Sequence, residues 1–160
     1  MKTYRAPWGK LLKWISACLV ALAIVQWTTM SWLYTGISGW AGFVACWTLP
    51  LVVLVCLPFM IRGYAITENS ILIPRLFWTT RLDRAGLKSA EVVPKAMSGS
   101  LRTCGNGGAF SFTGWFWNKS LGSYRAFVTD LNRTVVLRFE KRTVVVSPDE
   151  PEDFVNELTR

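Results

Sequence analysis

Residues 14–61 form a run of 48 positions without one Asp, Glu, Lys or Arg, and every one of the chain's 28 charges lies before or after it. Such a run cannot be the face of a soluble helix or strand, which would carry polar residues on its other side. A hydrocarbon core about 30 Å thick takes roughly 20 apolar helical residues to cross. The run supplies two such lengths, 12–34 and 40–61, divided by Thr35, Gly36, Ile37, Ser38 and Gly39. So short a divider does no more than reverse the chain, and the block reads as an antiparallel transmembrane hairpin. Lys2, Arg5, Lys10 and Lys13 ahead of Ala21-Leu22-Ala23 also suit a cleaved signal peptide. The apolar run outlasts the roughly 7–15 residues of such a segment and is followed at once by another, which favours a retained hairpin.

Lysines and arginines set the orientation. Four sit in the N-terminal 13 residues, none sits in the turn, and Arg62, Arg75, Arg81 and Arg84 follow the second span, so the positive-inside rule places both ends in the cytoplasm. Trp8, Trp14 and Tyr64 then fall at the inner interface and Trp32, Tyr34 and Trp40 at the outer one, where amphipathic rings prefer to lie. Within the spans, Gln26 reads as an interhelical hydrogen-bond partner, and Pro50 removes the amide that would bond the Cys46 carbonyl. Ala17 with Ala21, and Ala41 with Ala45, have the spacing of closely packed helices. With no charge inside the membrane there is no sign of an ion or proton path.

Residues 62–160 carry 14 basic and 10 acidic side chains, enough chain for one small domain with its own core. Runs rich in β-branched and aromatic residues at 64–67, 70–75, 77–82, 88–93, 109–117, 123–129, 134–140 and 143–147, separated by Gly, Asn and Asp, predict short strands in a barrel or sandwich. At 147–160 the period changes. Pro148 and Pro151 end the last strand, four acids cluster from Asp149 to Asp153, and Phe154, Val155 and Leu158 share one helical face, predicting a terminal amphipathic helix on the sheets.

Gly105-Asn106-Gly107-Gly108-Ala109-Phe110, followed by Gly114-Trp115-Phe116, Asn118, Leu121-Gly122, and then Ser147-Pro148-Asp149 with Pro151 and Phe154, resembles a family of bacterial pleckstrin-homology-like domains. The resemblance covers most of 64–159. It implies a two-helix transmembrane hairpin followed by an all-β pleckstrin-homology-like barrel or sandwich with a C-terminal helix, held in a bacterial inner membrane. It implies no general activity, and eukaryotic phosphoinositide recognition does not transfer on fold alone.

Candidate contacts follow from charge and shape. Arg75, Arg81, Arg84, Lys88, Lys95 and Arg102 follow the second span with only Asp83 and Glu91 among them, a set suited to anionic lipid headgroups, or to a solvated surface obeying the topology rule. Gly105, Asn106, Gly107 and Gly108 suit an anion-binding nest or, more simply, a turn. Trp115 and Trp117 share one face of a strand and Phe116 the other, so this aromatic run is core, a docking patch or an interfacial anchor. Cys104 stands alone outside the spans, and neither zinc spacing nor a disulfide framework exists.

The chain has no histidine, which removes the commonest general base and metal ligand and the usual triads. No cofactor, metal, catalytic residue or nucleic-acid partner is expected. The expectation is a membrane-anchored, non-enzymatic module binding a protein segment or anionic lipid headgroups at the inner leaflet. The alternative is a structural or regulatory subunit of a larger membrane complex.

Overall fold

The computed structural model describes residues 1–33 and 40–159. Two helices, α1 (Lys10–Leu33) and α2 (Trp40–Cys56), are long and apolar enough to cross a membrane, over Lys10–Trp32 and Trp40–Phe59. The turn expected at 35–39, Tyr34 at the end of the first expected span, and Arg160 lie outside the described residues. The second helix stops at Cys56, short of the expected 61, and tightens into a single 3-10 turn, Leu57–Phe59. Pro58 is the cause, because it has no amide to continue the α-helical ladder.

Gln26 joins the two helices. Its Nε2 donates to the Ala45 carbonyl at 2.5 Å, one residue before the Cys46 carbonyl that Pro50 leaves without an amide. Replacing Gln26 with Ala is expected to lower the thermal transition of the detergent-solubilised protein by an amount equivalent to about 1 kcal/mol. An unchanged transition would show that the bond contributes nothing net.

Beyond the hairpin lie two sheets and a helix. The first sheet runs β1 (Lys2–Arg5), β2 (Gly63–Ile66), β3 (Ser70–Pro74), β4 (Thr79–Asp83), all antiparallel. The start of the basic N-terminal segment, residues 1–13, is thus a strand of the domain. Lys2 pairs with Ile66 and Arg5 with Gly63. Alternation turns Tyr4 inward, where its hydroxyl donates to the Asp153 carboxylate at 2.8 Å and its ring meets Phe154 edge-on at 5.0 Å. Four residues abutting an apolar block give too short a pattern to read as a strand.

The second sheet has the order β5 (Leu87–Val92), β9 (Val135–Phe139), β10 (Thr143–Val146), β8 (Gly122–Val128), β7 (Phe112–Asn118), β6 (Leu101–Gly107). Its β10 and β8 are parallel, and its other pairs antiparallel. The two sheets do not join edge to edge, so the fold is a sandwich and not a closed barrel. β6 is a further departure. Gly105, Asn106 and Gly107 lie in this strand, not in a turn, and the reversal comes at residues 108–111.

α3 (Pro151–Thr159) begins with proline at a position that needs no amide donor, and Glu152 and Asp153 in its first turn complement the helix dipole. Its Phe154 and Leu158 close one end of the core between the sheets, with Tyr64, Ile71, Ile73, Phe127, Leu137 and Val146. The second sheet is covered on its other face as well, by Leu12 of α1 and by Ala96 and Met97, which pack on Phe116, Tyr124, Ala126, Val136 and Val145. Burial on both faces is why residues 135–137 and 144–146 are unbroken apolar runs.

Candidate functional site

The domain does not hang from the hairpin on a linker; it is bonded to the ends of both helices. At the first, the Gly9 amide donates to the Thr129 carbonyl at 2.9 Å and the fully buried Leu12 enters the core. Ser16 Oγ accepts from the Phe110 amide at 3.0 Å and donates to the Gly108 carbonyl at 3.4 Å. At the second, the buried Ser111 hydroxyl donates to the Phe59 carbonyl at 2.8 Å, and the Arg62 amide donates to the Pro74 carbonyl at 2.9 Å. Even two short helical ends so fastened hold the domain at a fixed height beside the apolar spans.

Two surfaces result. On one side a cleft of about 430 Å³ lies between the helices and β6, walled by Ile15, Leu19, Val52 and Val55 and rimmed by Arg102, Gly105 and Gly107. The Arg102 guanidinium donates to the Gly105 carbonyl at 3.2 Å and lies over Gly107, whose absent Cβ would come within 2.9 Å of it. Gly108 is buried, with Ile15 in contact, so this end of the glycine cluster is occupied by the chain's own first helix.

The second is built around Arg75, only 6% exposed, which packs on Phe59, a residue that also lines that cleft. Its guanidinium packs over Phe59 at 5.8 Å, Trp78 at 5.5 Å and Phe127 at 5.1 Å, and Arg125 lies over the same Phe127 ring at 4.9 Å. Burial, and secondarily the Arg125 charge, push Arg75 down to about 10. Trp115 is the cross-strand neighbour of Arg125. Phe77, Trp78, Trp115 and Trp117 are all exposed, whereas Phe116 is buried against Tyr124.

The six basic residues singled out from sequence are therefore not one patch. Arg75 packs on Phe59 at the end of the second helix, and Arg102 rims the cleft that Phe59 also lines. Arg81 and Arg84 line a polar cleft with Glu68 and Asp83, where Arg84 also donates to the Thr67 and Leu158 carbonyls. Lys88 faces Glu140 at 3.8 Å, and Lys95 is exposed with φ of 57°. Sequence reasoning did not single out Arg125, Phe59 or Trp78. Phe77-Trp78, one residue beyond Arg75, was the available signal, because an aromatic pair near a cation that follows a span is the composition of a membrane interface.

No curated protein and no solved structure matches the chain. A family model described as bacterial PH domain does match, over residues 62–160. The match starts where the second span ends and runs through both sheets and α3, so β1 is the strand of the sandwich that comes from outside it. With more than half the chain matched, and two stacked sheets closed by a terminal helix, this protein belongs to the bacterial PH domain family.

Proposed function

We propose that the chain is a membrane-anchored, non-enzymatic interaction module that holds its PH domain against the inner leaflet of a bacterial membrane and there engages anionic phospholipid. The observation that carries this reading is the bonding of the domain to both helix ends. It keeps Arg75, Trp78 and Arg102 beside the helix ends, which in this reading is the depth where the spans leave the hydrocarbon. Cations at that depth gain about 1 kcal/mol each from an anionic leaflet. Exposed aromatics at the same depth suit the headgroup region. The cytoplasmic side is supported by the basic residues that flank the hairpin and by their absence from residues 14–61.

Cys104 is exposed and is the cysteine outside the spans, so it reports the side directly. A membrane-impermeant maleimide is expected to label it only after intact cells are permeabilised; labelling in intact cells would overturn the orientation. For lipid, the full-length protein in nanodiscs is expected to gain amide protection at 75–79 and 101–107 when phosphatidylglycerol replaces phosphatidylcholine. Equal exchange in both would overturn lipid engagement and turn attention to a protein partner.

A further inference from the structure

Arg75 is the most conspicuous unsolved charge in the molecule. Its Nε is buried without a hydrogen-bond partner, and among the described residues no carboxylate lies within 4 Å of its guanidinium. Its position is set by the backbone, through a bridge to Ile61 and an amide donated to the Trp78 carbonyl at 2.8 Å. The fold then brings a second guanidinium, Arg125, to the same Phe127 ring. Two like charges on one ring repel, and burying one of them costs free energy that no acid here offsets.

The rings explain what such a pair can bind. Phe59, Trp78 and Phe127 surround the Arg75 guanidinium with apolar ring surface and offer its N–H donors no oxygen. The donors of a guanidinium, set in a fixed fork, match the oxygens of a tetrahedral anion, to which each bond is charge-assisted. We infer that Arg75 and Arg125 form a binding site for the phosphate of an anionic glycerophospholipid, caged by Phe59, Trp78 and Phe127 at the foot of the second helix.

A lipid is favoured over a soluble phosphate by what surrounds the pair. Phe59 belongs to the turn that ends the second span, and Phe77 and Trp78 carry exposed ring surface beside it, 76% and 42%. A small phosphate ester gains nothing from that apolar rim, whereas the glycerol and first acyl carbons of a lipid would lie along it into the membrane. The inference rests on the membrane-surface reading above and narrows it to two side chains.

The test uses full-length protein in nanodiscs of phosphatidylcholine with graded phosphatidylglycerol, read as amide protection at 74–79 and 122–128. Arg75→Gln and Arg125→Gln are each expected to raise the phosphatidylglycerol needed for half-maximal protection about tenfold, the worth of one charge-assisted pair of bonds. Arg75→Lys, which keeps the charge but loses the fork, is expected to do nearly the same, and Arg81→Gln to do nothing. In lipid-free detergent Arg75→Gln should melt no lower than wild type, because it removes a buried unpaired charge; inorganic phosphate at millimolar levels should not protect.

Wild-type protection by phosphatidylglycerol that survives both glutamine variants would overturn this site while leaving the membrane-surface reading intact. Loss of lipid dependence in wild type itself would overturn both. Protection by inorganic phosphate alone would overturn the lipid assignment, and a lower detergent transition for Arg75→Gln would show that the stacked arginine is structural.

Discussion

Gly114→Ala is expected to peel β6 from the second sheet and lower the stability of the domain by at least about 3 kcal/mol. Gly114 and Gly105 face each other across β7 and β6, with φ of 138° and 111°. A Cβ at Gly114 would stand 2.2 Å from the Cys104 carbonyl oxygen and 2.8 Å from the Gly105 Cα, both backbone atoms that cannot swing aside. The same substitution forces an L side chain into a region of positive φ that costs of order 1–3 kcal/mol by itself. β6 is an edge strand, held on one side only, so separating it from β7 relieves the clash most cheaply. Hydrogen exchange should then show loss of protection at Leu101–Gly107 with β8, β9 and β10 unchanged. Because β6 carries Arg102 and the glycines that rim the interhelical cleft, the variant should also lose phosphatidylglycerol-dependent protection on that side. Unchanged exchange in β6 would mean that the two glycines are not needed for the close approach.

The hairpin was legible because the absence of charge over residues 14–61 is a signal that no soluble alternative produces. The later strands were legible as well, since alternating or continuous β-branched runs such as residues 134–140 and 143–147 sit between turn residues, and their edges shifted by only a residue or two. Two strands escaped. β1 pairs with β2 from the far end of the helical hairpin, and no local pattern announces a partner some sixty residues away. β6 is exposed almost throughout and rich in glycine, so it lacks the buried alternation by which strands are recognised. The candidate site divides in the same way. Arg75 and Arg102 were visible as cations after a span, but their meeting with the foot of the hairpin, through Phe59 and through the cleft beside β6, is a matter of sheet register. Arg125 became relevant only because β8 turns it to the same face as Phe127, beside Trp115.

Raising the pH from 10 to 12 should cost the domain about 4 kcal/mol through two tyrosines. Tyr4 and Tyr64, 6% and 1% exposed, both have their phenols pushed up to about 12, in each case chiefly by burial. For Tyr4 the bond to Asp153 adds to the shift and Lys2 opposes it; for Tyr64 the bonds with Ser147 oppose it. Unfolded phenols ionise near 10. Between 10 and 12 the unfolded chain therefore binds fewer protons than the folded one, and stability falls as pH rises. Their contribution is fully present below 10, and beyond 12 the loss levels off because the folded phenols ionise too. Each tenfold change in acidity is worth about 1.4 kcal/mol per group, hence nearly 3 kcal/mol for each tyrosine over the whole titration and about 2 kcal/mol of it between pH 10 and 12. Lys2, raised chiefly by its bond to Asp153, adds a loss of the same sign. Thermal unfolding of the detergent-solubilised protein at a series of pH values should show a level region to about pH 9 and a steep decline above 10. Tyr64→Phe and Tyr4→Phe should each remove about half of the steepness, and a flat profile through 11.5 would refute the account. The consequence reaches the hairpin, because Tyr4 lies six residues before the start of α1 and pins β1 to α3. Ionising it would loosen the domain at the very strand that runs into the first span.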